Sequence, residues 1–113
     1  MAINEAFSGS ATIGTTPFSL PNNSTTLTPI TVDGVYQVFL DLGALTLTEK
    51  YSIRVLETVT SGGSQREIFA AVVSGASPSL VTPSLILLHG WDVVVTKLSG
   101  TDRSIGWSIR QVA

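Results

Sequence analysis

The chain has 113 residues with a net charge of −2, 43% hydrophobic and only 12% charged residues, and a mean hydropathy of +0.39. The length fits one domain with one modest core. The six Lys and Arg residues are dispersed, so there is no footprint for nucleic acid, and the absence of cysteine excludes disulfides and thiolate metal sites.

Met1 to Thr31 differs from the rest. Glu5 is its only charged residue, and 11 of the 24 residues from Ser8 to Thr31 are Ser or Thr. Pro17, Pro21 and Pro29 each remove a backbone donor, so no long central strand runs through all of it. Phe7, Ile13, Phe18 and Leu20 give the segment apolar anchors that disordered tails lack. It reads as an extended arm, laid either on its own sheet as an edge strand or on a neighbouring subunit. The overlapping sequons at Asn22 and Asn23 read as a polar turn after Pro21. No basic-then-apolar leader is seen, and no apolar run is long enough for a membrane helix, so synthesis in a cytoplasm and no membrane partner are expected.

Asp33-Gly34 is turn chemistry. It opens a strand over Val35–Leu42, with Tyr36, Val38, Leu40 and Leu42 on one face. The connection Gly43–Lys50 keeps an alternation at Leu45 and Leu47 and is expected to pack as a loop. Tyr51–Val59 is the second strand, with Tyr51, Ile53, Val55 and Val59 inward and Ser52, Arg54 and Thr58 outward. Ser61-Gly62-Gly63-Ser64 is a hairpin turn into a third strand, Gln65–Ser74, whose phase is ambiguous. Glu57 falls in the apolar phase of its strand, and pairing with Arg66 across that turn is expected.

Gly75–Pro83 is a loop of small residues. Leu85–Leu88 and Trp91–Val95 flank His89-Gly90 and read as a tight hairpin, apolar on both faces, so one face needs a cover from the arm or a second subunit. Ser99–Asp102 is the last turn. Arg103–Val112 closes the chain with Ile105, Trp107 and Ile109 inward and Ser104, Ser108 and Arg110 outward.

These elements predict an all-β fold: an antiparallel β-sandwich, jelly-roll or immunoglobulin-like, over residues 32–113, with an extended N-terminal arm over residues 1–31. His89, Asp92 and Ser84 contain the types of a nucleophilic triad, but no nucleophile elbow surrounds any Ser. The acidic residues are spread one per strand or turn. No catalytic residue, metal site or cofactor is expected, and the chain is not expected to be an enzyme. Trp91 and Trp107 fall in phase with core aliphatics; Trp91 or Tyr36 could alternatively serve as a sugar platform.

The strands Val35–Leu42 and Tyr51–Val59, the Ser61–Ser64 turn, His89-Gly90-Trp91-Asp92 and Gly100-Thr101-Asp102-Arg103-Ser104-Ile105 together resemble capsid decoration, or cement, proteins of tailed bacteriophages. The resemblance covers packing and turn motifs and transfers no site residue. It implies a structural virion protein, made in the host cytoplasm, that stabilises the shell by bridging subunits of the major capsid protein. It further implies a homo-oligomer, a trimer ahead of a dimer. Candidate interface residues are Phe7, Ile13, Phe18, Leu20, Ile86, Leu88 and Val94. The alternative is a carbohydrate-binding or tail-associated β-sandwich module.

Overall fold

The computed structural model describes residues 2–112; Met1 and Ala113 lie outside the described residues. Nine strands follow in order: β1 (Ile3–Ile13), β2 (Phe18–Ser19), β3 (Gly34–Asp41), β4 (Lys50–Thr58), β5 (Gln65–Ser74), β6 (Ser79–Val81), β7 (Leu85–Leu87), β8 (Trp91–Ser99) and β9 (Arg103–Val112). The strands with period-2 alternation bury the predicted face. Tyr36, Val38 and Leu40, then Tyr51, Ile53 and Val55, then Ile105, Trp107 and Ile109 all lie in the core.

Two antiparallel sheets pack face to face. The first has the order β1-β9-β3, with β6 and β7 both paired to the far side of β3; the second has the order β2-β8-β4-β5. The β4–β5 hairpin and the β6–β7 link stay within one sheet, and every other connection crosses to the opposite sheet. This strand order is the double Greek key of a jelly roll, not that of an immunoglobulin domain.

The N-terminal segment lies on its own chain. β1 pairs with β9 from Ile3↔Val112 to Ile13↔Arg103, with Ala6 as an extra residue between Glu5 and Phe7. That bulge turns Phe7, Gly9, Ala11 and Ile13 inward and leaves Ser8, Ser10 and Thr12 outside. The inward row is shaped to its neighbour. A Cβ on Gly9 would stand 2.9 Å from Trp107 Cζ2, so the indole needs the missing side chain.

The predicted hairpin at His89-Gly90 does not form. β7 pairs with β3 in the first sheet, whereas β8 pairs with β2 and β4 in the second, so the short link carries the chain across the sandwich. The reason lies in burial. β7 alternates, with Leu85 and Leu87 inside and Ile86 80% exposed, as an outer strand should. β8 is central and buried on both faces from Trp91 to Val95. Its outward face is closed by its own chain: β2 sets Ser19 opposite Val94, and β4 sets Arg54 there. Ser19 Oγ donates to Asp92 Oδ1 at 2.7 Å, and Asn22 Nδ2 donates to Ser19 Oγ at 2.8 Å and to the Thr28 carbonyl at 2.7 Å. Burial pushes the Asp92 carboxyl above its ordinary pKa, against the opposing Ser19 and Val93 hydrogen bonds.

Three further expectations are corrected. Leu45 is buried, but Leu47 is 78% exposed, so only half of the β3–β4 loop alternation packs. Val59 lies beyond the end of β4 and is exposed. Glu57 does stand opposite Arg66, yet its carboxylate accepts the Leu88 amide at 2.7 Å instead of the guanidinium. A fixed, half-buried N–H is a better partner there than a long, solvated side chain. The ambiguous β5 resolves with Phe69, Ala71 and Val73 toward the core, because the extra residue Ile68 interrupts its register with β4.

The end of the sandwich away from the Ser61–Ser64 turn is tied by Glu49, whose side chain is fully buried. Its carboxylate accepts from Thr46 N at 2.7 Å, Thr46 Oγ1 at 2.9 Å, Thr48 Oγ1 at 2.5 Å and Arg103 Nε at 2.9 Å. The Thr48 hydroxyl foremost, then the Thr46 amide, hold this carboxyl far below the usual carboxylate range.

Candidate interaction surface

Residues directly opposite each other in a sheet point to the same face. The registers of the first sheet therefore sort its outer face into rows. Ile3 lies opposite Val112, Val112 opposite Val35, and Val35 opposite Ile86. These four aliphatic side chains cross four strands in one line on the solvent side. Ile3 is 70% exposed and Ile86 80%, with Val35 and Val112 between them partly covered by their neighbours. Leu88 and Val32, each 56% exposed, extend the apolar area around the same end of the sandwich.

The next row is Glu5, Arg110 and Gln37. Arg110 is held in place. Its guanidinium carbon sits 3.8 Å over the Phe39 ring, its Nε donates to Ser108 Oγ at 3.2 Å, and Ser108 Oγ donates to Glu5 Oε2 at 2.5 Å. The Ser108 hydroxyl, then that of Ser8, hold the Glu5 carboxyl below its ordinary pKa, and Arg110 adds to the effect. Beyond this row lie Ser8, Ser108, Phe39 and the half-exposed Val81, and then the smaller, more polar Ser10, Gly106 and Asp41. The missing side chain at Gly106 leaves a shallow groove of about 360 Å³ between Phe39, Arg110 and Asp41. The face thus passes from an aliphatic end, through Glu5 and Arg110 bridged by Ser108, to a shallow groove of mixed character.

The predicted interface residues divide between this surface and the core. Ile86 and Leu88 belong to it. Ile13 and Leu20 are 1% exposed and pack in the core, and Val94 is wholly buried on the outward side of β8, so none of the three is a surface of this chain. Phe7 and Phe18 are half-buried and pack edge-on, Phe7 against Trp91 and Phe18 against Trp107, each with ring centroids 5.7 Å apart. Neither suggested sugar platform is at the surface. Trp91 and Tyr36 are buried against each other, and both donate to the Val32 carbonyl at 3.0 Å.

Ile3, Val35 and Val112 were not singled out from the sequence. Their signal is an aliphatic residue in the outward phase of a strand, but only the sheet order shows that the three stand in line. Among the described residues, no group of three or more His, Cys, Asp or Glu side chains is arranged to hold a metal ion.

No protein-family model and no curated protein matches the sequence. Solved structures do share its fold. The Yersinia pseudotuberculosis-derived mitogen is 13% identical over 99% of this chain and 86% of its own, with a TM-score of 0.58. A subunit of Bacillus endospore appendages, described as disulfide-linked pili, is 14% identical over 98% and 87%, with a TM-score of 0.55. The cowpea mosaic virus top component, a naturally occurring empty particle, is 11% identical over 97% and 83%, with a TM-score of 0.51. At these identities the likeness establishes the architecture alone: the chain is an antiparallel β-sandwich of jelly-roll type.

Proposed function

We propose that this chain is a structural subunit that docks on a larger protein assembly through the aliphatic end of its first sheet. Its specific form is a decoration protein that bridges major capsid subunits of a tailed phage. The observation that carries the reading is the solvent-facing row Ile3–Val112–Val35–Ile86. A line of aliphatic side chains across four strands is an association surface, whereas aliphatic residues scattered singly over a surface need no explanation. The sparse charge of the chain fits extended contact with protein, and its fold is one that a virus particle and a spore appendage also use. The adjoining row of Glu5, Arg110 and Gln37 provides a polar margin to the aliphatic row, as at the rim of an interface.

The test is cosedimentation with capsids of the virus whose genome carries the gene, stripped of this protein. Burying an isoleucine is worth about 1.5–3 kcal/mol, so Ile86→Lys is expected to weaken attachment at least about tenfold. Ile86 is 80% exposed, so its thermal unfolding should match the wild type. Undiminished attachment of Ile86→Lys would rule out this face. Failure of the wild type to attach would rule out decoration.

A further inference from the structure

We infer that a second copy of this chain adds to the free edge of β1, antiparallel and about a two-fold axis at Ser10, so that two first sheets become one continuous sheet. β1 and β2 are the terminal strands on the same side of the sandwich, β1 in one sheet and β2 in the other. From Ala6 to Val32, 27 consecutive residues contain no ionisable side chain. That side wall therefore lacks the charges that normally keep a sheet edge solvated and alone.

The edge itself lacks the other usual protections. β1 runs for 11 residues without a proline or a lysine. Its one bulge, at Ala6, is near the start and leaves the seven residues Phe7–Ile13 regular against β9. The other long free edge, β5, is guarded differently. It carries Arg66 and Glu67 directly after Gln65, has the bulged Ile68, and lies beside Lys50 and Arg54 of β4.

The regular segment of β1 is complementary to itself. With the axis at Ser10, Ser8 of one copy faces Thr12 of the other and the two Ser10 side chains face each other, a hydroxyl ladder on the solvent side. On the inner side Gly9 faces Ala11, and Phe7 faces Ile13. Glu5 falls beyond the paired segment, so no like charges meet. Seven residues span about 23 Å at ~3.3 Å each. With the 20 Å of the thinnest molecular axis, this gives a wall of roughly 460 Å² per copy, below the ~800 Å² of a standard interface. The pair is therefore reversible in solution and gains from being held on an assembly. This pairing is separate from the apolar face proposed above, and its test needs no capsid.

The chain has no cysteine, so a single introduced thiol reports contact without background. Directly opposed residues have Cα atoms ~4.5–5.5 Å apart, within disulfide reach. Under mild oxidation Ser10→Cys is expected to form a disulfide-linked dimer far faster than Ser79→Cys, a control on an outer strand of the same sheet, also exposed. Ser10→Lys would set two ammonium groups against each other. It should abolish the dimer seen by sedimentation equilibrium at millimolar wild-type protein, with unchanged thermal unfolding. Equal cross-linking of the two cysteine variants, a wild type that remains monomeric or forms a trimer, or a folded Ser10→Lys that still dimerises would each overturn the inference.

Discussion

Thr82 fills a gap in the sheet, and replacing it with valine tests that role. β6 pairs with Phe39–Asp41 and β7 with Gly34–Tyr36, so neither reaches the middle of β3. Thr82 closes the interval. Its amide donates to the Val38 carbonyl at 3.0 Å, and its Oγ1 accepts the Val38 amide at 3.0 Å while donating to the Pro83 carbonyl at 2.9 Å. The side chain is 1% exposed. Thr82→Val keeps the shape and removes the hydroxyl, leaving the Val38 N–H buried without a partner. Such a group costs about 1–3 kcal/mol. For a chain of this size that is roughly 4–12 °C in Tm. Thr82→Ser keeps the hydroxyl and removes one methyl, at a cost of about 0.8 kcal/mol. Urea unfolding followed by the fluorescence of Trp91 and Trp107, both buried, would measure each. The Val38 amide should also exchange faster in Thr82→Val. If Thr82→Val lies within about 0.5 kcal/mol of wild type, or Thr82→Ser is equally damaging, the hydroxyl is not closing the sheet.

Two buried carboxyls should titrate in opposite senses. The folded-state pKa of Glu49 is depressed, so its contribution is present above the unfolded value of about 4.5 and is lost as pH falls through the folded value. Glu49→Gln should unfold at lower urea than wild type at pH 7, and the gap should narrow in acid; a gap independent of pH would refute the assignment. Asp92 is raised above 3.8, so its folded state favours the proton and the wild type gains relative stability as pH falls from neutral. Asp92→Asn should be at least as stable as wild type at pH 7, with its relative advantage shrinking toward acid. A variant weaker at neutral pH than in acid would contradict the sign.

Much of this architecture was legible because period-2 burial is a local property. Tyr36–Leu42, Tyr51–Val55 and Ile105–Ile109 each declare their inward face without reference to any other segment. Pairing is not local. Leu85–Leu88 and Trp91–Val95 look like two arms of a hairpin, and only the exposure of Ile86 against the two-sided burial of β8 reveals that they belong to different sheets. The surface was hidden for the same reason. Ile3 and Val112 sit at opposite ends of the sequence, and their alignment exists only through the registers of β9 and β3. Ile13, Leu20 and Val94 were misplaced because an apolar residue in a strand looks the same whether it meets another chain or its own core. Glu49 gave no signal either. A lone carboxylate reads as solvated until the loop amides and hydroxyls around it are in place.

The union of β1 with β9 also bears on how the chain acquires its shape. β1 finds no sheet partner in the ninety or so residues that follow it, because the strand beside it is β9. Contacts of such wide separation in sequence slow folding toward the millisecond-to-second range. During synthesis β1 must wait until about ninety further residues have been made, a period in which chaperones rather than the native sheet would keep it from aggregating.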